Sequence, residues 1–257
     1  MLNFRQTNII FGAAMVLLLI ADFFLPIYRS GYFILLALYL LILFVGSYRV
    51  DSGFYTPVLF KANTSRKVIA FSFDDGPNPD QTPRILEILR SKNIQAGFFC
   101  IGKNIEKNPA LLKRIHEDGH IIGNHSYSHH ALFDFFTSRR MYEELELTSK
   151  LIQNTTGQRP LLFRPPYGVT TPTLAKAISK GKYITVGWNV RSLDTVIDDD
   201  ARLLKKMIKK IKPGNIFLFH DTSEATVKML PAFIKAVYKK GFEIERPDKL
   251  LEIHAYA

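Results

Sequence analysis

The chain has 257 residues, of which 47% are hydrophobic and 22% are charged, and its formal net charge is +11. This composition excludes a disordered chain, because disordered segments are poor in apolar residues. The single cysteine excludes an intramolecular disulfide. The positive charge favours anionic polymers and membrane surfaces as partners. Nucleic acid is not expected as a partner, because no recognised binding motif accompanies the charge.

Two apolar segments lie near the N-terminus. Residues 9–25 contain one charged side chain, Asp22, and residues 32–45 contain none. Each segment approaches the roughly 20 residues that a helix needs to cross a bilayer. The residues between them are typical of a tight turn: Pro26, Arg29, Ser30 and Gly31. Residues 1–48 are therefore predicted to form two transmembrane helices, which would make the chain a multi-pass protein of the cell membrane.

Two spans place both chain ends on the same side of the membrane. The terminal amine and five cationic side chains flank the spans on that side, against Arg29 alone in the turn: Arg5, Arg49, Lys61, Arg66 and Lys67. Because positive flanks tend to stay inside the cell, this bias favours a cytoplasmic domain. A cleaved signal peptide or a soluble apolar hairpin are the alternatives. A second apolar segment follows the first almost at once, which counts against cleavage.

The remainder of the chain has the pattern of an α/β protein. Residues 49–65 are rich in turn-forming residues and are predicted to be a linker, and residues 66–257 are predicted to form one domain. Strands are predicted over 68–73, 96–100, 121–123, 161–163, 183–188, 216–219 and 242–244. Helices are predicted over 82–91, 109–118, 139–154, 173–179, 200–211 and 225–239. This alternation favours a parallel sheet with helices outside it.

Two acids and two histidines have the spacing of a metal-assisted hydrolase. Asp74 and Asp75 end the first apolar run of the domain, and His125 and His129 follow about fifty residues later. Two imidazoles and one carboxylate supply three ligands for a divalent cation, and the other carboxylate is left to act as a base. The i, i+4 spacing predicts that both histidines lie on one face of a helical turn. His130 is predicted to be a neighbour and not a ligand.

With these motifs the sequence resembles the polysaccharide deacetylases of carbohydrate esterase family 4, the NodB-type hydrolases that remove acetyl groups from sugars. The likeness runs from Lys67 to Glu245. It rests on five motifs in the expected order, at residues 72–77, 125–129, 164–167, 188–194 and 218–220. The resemblance implies a distorted (β/α) barrel with fewer than eight strand–helix units, here preceded by the transmembrane helical hairpin.

The resemblance also implies the central chemistry. Asp75, His125 and His129 would hold a divalent metal, with zinc first and cobalt or nickel as alternatives. Asp74 would act as the base that takes a proton from the attacking water. His220 would act as the acid that protonates the leaving nitrogen.

Further residues receive supporting roles from the same resemblance. Arg164 would orient Asp74, and Asp194 would accept a hydrogen bond from His220. The backbone N–H of Tyr167 would stabilise the oxyanion. Leu218 would line the slot for the acetyl methyl group.

The fourth motif departs from the family pattern. Relatives often have an aspartate three residues before Asp194 and a tryptophan directly after it, where this chain has Arg191 and Thr195. Trp188 and Arg191 are therefore predicted to belong to an altered substrate-binding surface. Because Arg191 introduces a cation, the hypothesis is a pocket suited to an anionic or lipid-linked sugar.

The expected function is removal of N-acetyl, or O-acetyl, groups from an amino-sugar polymer or a lipid-linked amino sugar at the membrane. Many members of the family act outside the cell, which opposes the charge bias described above. A catalytically silent, membrane-tethered carbohydrate-binding protein is the first alternative, and it predicts that a ligand, the base or the acid is missing. A metal-free hydrolase of cyclic amides is the second, and the intact histidine pair counts against it.

Overall fold

A computed structural model describes residues 2–25 and 29–257, so the predicted turn residue Pro26 lies outside the described part. Two N-terminal helices, α1 (Phe4–Phe24) and α2 (Ser30–Tyr48), occupy the two apolar segments. Both are long and apolar enough to cross a membrane, although a signal sequence passes the same test of length and composition. Tyr39 donates a hydrogen bond to Asn8 between the two helices, over 2.8 Å.

The rest of the chain forms strands and helices in alternation. The strands are β1 (Val68–Asp74), β2 (Gly97–Cys100), β3 (Ile121–Asn124), β4 (Leu162–Phe163), β5 (Ile184–Thr185), β6 (Val190–Arg191), β7 (Ile216–His220) and β8 (Glu243–Glu245). The helices are α3 (Thr82–Ser91), α4 (Gly102–Lys107), α5 (Pro109–Glu117), α6 (Ser138–Thr156), α7 (Pro172–Gly181), α8 (Asp200–Ile208), α9 (Glu224–Lys239) and α10 (Pro247–Leu251).

The strands form one curved sheet, and the named strands pair only in parallel. Its order is β5-β4-β3-β2-β1-β7-β6, with β8 paired to the start of β1. No pairing joins β5 to β6 among the described residues, so the barrel is open there. This is the distorted (β/α) barrel with fewer than eight strand–helix units that the motifs predict.

Strand β1 shows how the sequence separates the two faces of the sheet. All seven of its residues are buried, and successive side chains of a strand point to opposite faces. Phe71 and Phe73 point outward and pack in an aromatic cluster with Phe219 and with Phe233 of α9. The intervening polar residues Ser72 and Asp74 point into the barrel. The strand therefore buries its apolar side under the helices and presents its acid at the barrel mouth.

Of the strand predicted over residues 183–188 only Ile184–Thr185 is strand, as β5, and a second short strand, β6, follows at Val190–Arg191. The chain bends between them because the carbonyl groups of Val186 and Gly187 accept hydrogen bonds from the buried side chain of Arg164. The N–H of Gly187 donates to the carbonyl of Leu59. The carbonyls of Val186 and Gly187 are therefore turned toward the Arg164 side chain and not toward a neighbouring strand. The strand pattern is interrupted here, where Arg164 of the third motif contacts the chain just before the fourth motif.

The segment 49–65, predicted to be a linker, lies against the barrel. Its apolar side chains Val50, Phe54 and Val58 are buried, and Leu59 pairs with Val186 at the opening of the sheet. The end of α2 is also attached to the domain, because Ser47 and Thr170 exchange two hydrogen bonds. The second apolar helix thus ends directly on the barrel.

Candidate active site

Three of the predicted site residues form a cluster with the composition of a metal site. The ligand atoms of Asp75, His125 and His129 lie within 4.8 Å of one another. Asp75 Oδ1 is 3.5 Å from His125 Nε2 and 3.6 Å from His129 Nε2. Asp75 follows β1 and the histidines follow β3, the two strands on either side of β2, so the ends of these strands place the three groups together.

The three residues fit a divalent cation. The Nδ1 atom of His125 lies 2.8 Å from the carbonyl oxygen of Arg164, so Nδ1 carries the proton and Nε2 directs its lone pair toward Asp75. Asp75 Oδ1 is buried and has no hydrogen-bond partner among the described residues. Two nitrogen donors and one carboxylate oxygen leave positions for water and substrate, as catalytic zinc sites do.

The electrostatic surroundings keep two of the three groups in the form that binds a metal. Burial opposes ionisation of Asp75, but its interactions with His125 and the charges of the nearby histidines outweigh burial and lower its pKa to about 2. Burial and the neighbouring His125 lower the pKa of His129 to about 4. At neutral pH Asp75 is therefore ionised and His129 is neutral.

The histidine pair does not lie on a helical turn, so that part of the prediction is wrong. Residues 125–129 have no helical structure, and Ser126 and His129 have φ angles of 62° and 45°. The side chain of Ser126 accepts the N–H of His129 and fixes this conformation. His130, as predicted, is turned away: its Nδ1 accepts from Leu132 N–H and its ring packs on Phe136.

Asp74 is buried beside this cluster and is held by Arg164. Arg164 Nη1 donates to Asp74 Oδ1 over 2.6 Å and to Ser72 Oγ over 2.9 Å. The guanidinium is fully buried and lies 3.9 Å from the centre of the Phe99 ring. A charge-assisted hydrogen bond of this kind fixes the carboxylate strongly. Asp74 Oδ2 is left facing His125 Nε2 at 3.9 Å, toward the metal cluster.

His220 and Asp194 form a second pair on the other side of the cluster. His220 Nδ1 lies 2.7 Å from Asp194 Oδ1, and the N–H of His220 donates to Asp194 Oδ2 over 2.7 Å. Burial would lower the pKa of His220, but the hydrogen bond and charge of Asp194 outweigh it and raise the pKa to about 9. His220 Nε2 faces Asp75 Oδ2 at 4.0 Å. The imidazole is therefore protonated at neutral pH and points at the cluster.

Four further predicted residues surround these groups. Tyr167 has a φ of 58°, and its ring lies 4.6 Å from the ring of His129. Leu218 and Trp188 are buried and belong to one apolar cluster with Val50. Arg191 is exposed at the end of β6. Tyr167 thus lies beside the cluster of Asp75, His125 and His129, Trp188 lies near Arg164, and Arg191 lies on the exposed surface.

The motif analysis missed residues that support the site. Ser72 bridges Arg164 to the β7 backbone, since its Oγ donates to the carbonyl of Phe217. Its period-two relation to Asp74 is the signal that could have identified it. Asp221 is fully buried against Gly76, and burial raises its pKa to about 7. A side chain at position 76 would collide with this carboxylate, so the turn after Asp75 requires glycine.

Comparisons with known proteins agree with this geometry. The family model for polysaccharide deacetylase matches residues 61–186. A peptidoglycan-N-acetylglucosamine deacetylase of Bacillus cereus is 34% identical over 202 residues, which cover 76% of this chain and 92% of that protein. The peptidoglycan-N-acetylglucosamine deacetylase PgdA of Listeria monocytogenes is 32% identical over 78% of this chain, and this chain spans only 42% of its length.

Solved structures give the same result. The Bc1960 peptidoglycan N-acetylglucosamine deacetylase matches with a TM-score of 0.74 and 27% identity, over 78% of this chain and 95% of that one. BA3943 of Bacillus anthracis, described as a CE4 family pseudoenzyme, matches with a TM-score of 0.71 and 26% identity over 76% of this chain and 69% of that one. The chain therefore belongs to the polysaccharide deacetylases of carbohydrate esterase family 4.

Proposed function

We propose that this protein is a membrane-anchored, metal-dependent hydrolase that removes N-acetyl groups from an amino-sugar polymer or from a lipid-linked amino sugar, with O-acetyl groups as further substrates. One observation carries the proposal: the two adjacent acids have different partners. Asp74 is bound by Arg164, while Asp75 faces both histidines. This division provides one carboxylate for proton transfer and one for a cation.

In the proposed reaction, Asp74 accepts a proton from the water that attacks the acetyl carbonyl carbon. Arg164 holds the carboxylate so that Oδ2 remains directed toward the cluster of Asp75, His125 and His129. A divalent cation held by that cluster, most simply zinc, supplies Lewis acidity that polarises the carbonyl and acidifies water. A positioned carboxylate base of this type contributes about 10²–10⁴-fold to a rate.

The second half of the reaction needs an acid, because an amine leaves far more readily than an amide anion. His220 donates the proton from Nε2 to the leaving nitrogen, and Asp194 maintains the imidazolium through its hydrogen bond to Nδ1. The backbone N–H of Tyr167 is the proposed donor to the oxyanion of the tetrahedral intermediate. The apolar side chain of Leu218 is the proposed wall for the acetyl methyl group.

The proposed location is the cell membrane, with α1 and α2 as spans. Their length and apolar composition support this placement, as does the exposure of most of their large side chains. The charges of the flanks favour a cytoplasmic domain, whereas the peptidoglycan named for the relatives favours the outer face. The preferred substrate would therefore identify the face on which the domain lies.

The silent carbohydrate-binding alternative predicts a missing catalytic group. Every proposed ligand, the base and the acid are present, and each lies within 4.0 Å of another group of the site. The active enzyme is therefore the better-supported reading.

Acetate release is the direct test. The full chain in detergent is required, because residues 50–62 pack against the barrel and a truncation after them would remove buried side chains. With zinc or cobalt added, we expect release from at least one of three substrates: a chitooligosaccharide, peptidoglycan or a lipid-linked N-acetyl amino sugar. Release should stop with a chelator. Failure on all three by folded protein with bound metal would contradict the proposal.

The pH dependence should report His220. Its raised pKa, about 9, means that the acid is present below that pH and is lost as the pH rises through it. We expect kcat/KM to fall on the alkaline side. In Asp194→Asn the partner charge is absent, so the fall should move about 1–3 pH units lower. An unmoved alkaline limb in this variant would show that His220 is not the acid.

A further inference from the structure

A groove of about 260 Å³ lies between the end of α2 and the barrel mouth. One wall comes from the segment that leaves the apolar helix, through Tyr48, Arg49 and Asp51. The other wall comes from the third and fourth motifs, through Tyr167, Trp188 and Arg191. The apolar hairpin therefore contributes side chains to a surface that also belongs to the catalytic domain.

The two walls are fixed relative to each other. Ser47 Oγ donates to the carbonyl of Thr170 over 2.6 Å, and Thr170 N–H donates back to the carbonyl of Ser47 over 3.1 Å. Val50 is buried in one apolar cluster with Trp188. Gly168 permits this approach, since a side chain there would meet the Trp188 ring at 2.7 Å. Hydrogen bonds and apolar packing therefore hold the two walls of the groove in a defined arrangement.

The groove is adjacent to the cluster of Asp75, His125 and His129 through one shared residue, Tyr167. Tyr167 lines it, and the ring of the same residue lies 4.6 Å from the ring of His129, a proposed ligand. The hydroxyl of Tyr167 donates to the carbonyl of His129 over 3.3 Å. A sugar whose acetyl group reached the metal cluster would thus place its neighbouring group in the groove. Tyr48 and Tyr167 are exposed and supply rings on which a sugar can stack.

The charges in the groove favour an anion. Arg49 is bound on two nitrogens by Asp51, so this pair is neutral overall. Arg191 has no ion pair or hydrogen bond from its side chain among the described residues. Lys206 adds positive charge close by, since its Nζ donates to the carbonyl of Ser192. The groove therefore has one uncompensated guanidinium, and a guanidinium recognises carboxylate and phosphate oxygens in pairs.

We propose that this groove binds an anionic group, carboxylate or phosphate, on the unit adjoining the acetylated sugar, so that the enzyme selects anionic amino-sugar substrates at the membrane surface. The identity of the substrate as an acetylated amino sugar rests on the proposed deacetylase function. The preference for an anion rests on the residues of the groove. Two sources supply the anion: the carboxylate of a muramic acid residue and the diphosphate of a lipid-linked sugar. Tyr48 lines the groove and is the last residue of α2, so an anion bound there would lie next to the end of the apolar helix.

The test compares the full chain with Arg191→Ala and Asp51→Asn on three substrates: a neutral chitooligosaccharide, a muramic-acid-containing glycan and a diphosphate-lipid-linked amino sugar. Loss of one charge-assisted hydrogen bond should raise the KM ratio of anionic to neutral substrate about tenfold or more in Arg191→Ala. Asp51→Asn removes the opposing charge and should lower the same ratio. The anionic substrate with the larger change identifies the source.

A matched control lies at the other end of the barrel. Arg66 precedes β1 and pairs with Glu245, so Arg66→Ala removes the same charge far from the groove and should leave the ratio unchanged. Equal ratios in wild type and Arg191→Ala would overturn the proposal. An equal loss of activity on the anionic and the neutral substrate in Arg191→Ala would also overturn the proposal, because that result indicates a general structural role for Arg191.

Binding of inorganic pyrophosphate separates the two proposals. Measured by calorimetry on metal-free full-length protein, it should weaken in Arg191→Ala and strengthen in Asp51→Asn whether or not acetate is released. Pyrophosphate binding that follows this order without any acetate release would refute the deacetylase proposal alone. Acetate release with equal pyrophosphate binding in all variants would refute the anionic groove alone.

Discussion

Asp74→Asn is expected to reduce acetate release by about 10²–10⁴-fold, the range for loss of a positioned general base. Asparagine has nearly the same shape and retains an oxygen for the hydrogen bond from Arg164, but it cannot accept the proton of the attacking water. The three proposed ligands of the metal, Asp75, His125 and His129, are left in place. The rate should therefore fall while the metal content per chain stays at the wild-type value, which elemental analysis would measure.

The same substitution has a structural cost that must be separated from the chemical one. Arg164 is fully buried, and Asp74 is the one carboxylate paired with it among the described residues. Removing one partner of a buried pair costs about 3–5 kcal/mol of stability. Circular dichroism should therefore be recorded at the assay temperature. Folded, metal-loaded Asp74→Asn protein that retains more than a tenth of the wild-type rate would exclude Asp74 as the base.

Much of this site can be predicted from the sequence because its residues lie at the ends of strands. The apolar run before Asp74 and the run before His220 become the parallel neighbours β1 and β7, whose register pairs Asp74 with His220. Short-range periodicity predicts such strands, and the parallel arrangement brings their ends to one mouth. The spacing of the motifs therefore predicts which residues meet, even though it gives no distances.

The histidine loop shows what spacing alone misses. An i, i+4 pair is ambiguous, because the two rings can also converge from an extended segment with residues of positive φ. Here Asn124 fixes the backbone N–H of Ser126, and Ser126 in turn accepts from His129 N–H. These contacts are set by the position of β3 within the sheet. A prediction from local spacing could not include these contacts, and it therefore assigned a helical backbone to a loop that is not helical.

The segment 49–65 shows that sequence patterns also miss long-range contacts. Its turn-forming residues indicate an irregular path, and the path is irregular, with one short 3₁₀ turn at Val50–Ser52. Val50 and Val58 are buried beside the opening between β5 and β6, where they pack with Trp188. Phe54 packs instead against Phe4 of α1. At the same place the carbonyls of Val186 and Gly187 accept hydrogen bonds from Arg164 instead of from a strand. A long-range contact of this kind leaves no periodic signal in the segment itself, yet it joins the hairpin to the site.

His125→Ala is expected to lose the bound metal together with activity, to about 10³-fold below wild type or lower, since a Lewis-acidic cation contributes several kcal/mol to such a reaction. Of the three proposed ligands, His125 has its ring fixed by a hydrogen bond, because the carbonyl of Arg164 lies 2.8 Å from its Nδ1. Removing it leaves one imidazole and one carboxylate, which bind a divalent cation poorly. Metal titration and acetate release measured on the same preparation would test both parts.

His130→Ala provides the matched control for that experiment. It removes an imidazole from the same loop, but one whose Nδ1 accepts the N–H of Leu132 and whose ring packs on Phe136, away from Asp75. It should keep its metal and most of its activity. If both variants lost the metal equally, the effect would reflect disruption of the loop. If both kept it, the cation would have to be held by other residues, and the division of roles between Asp74 and Asp75 would fail with it.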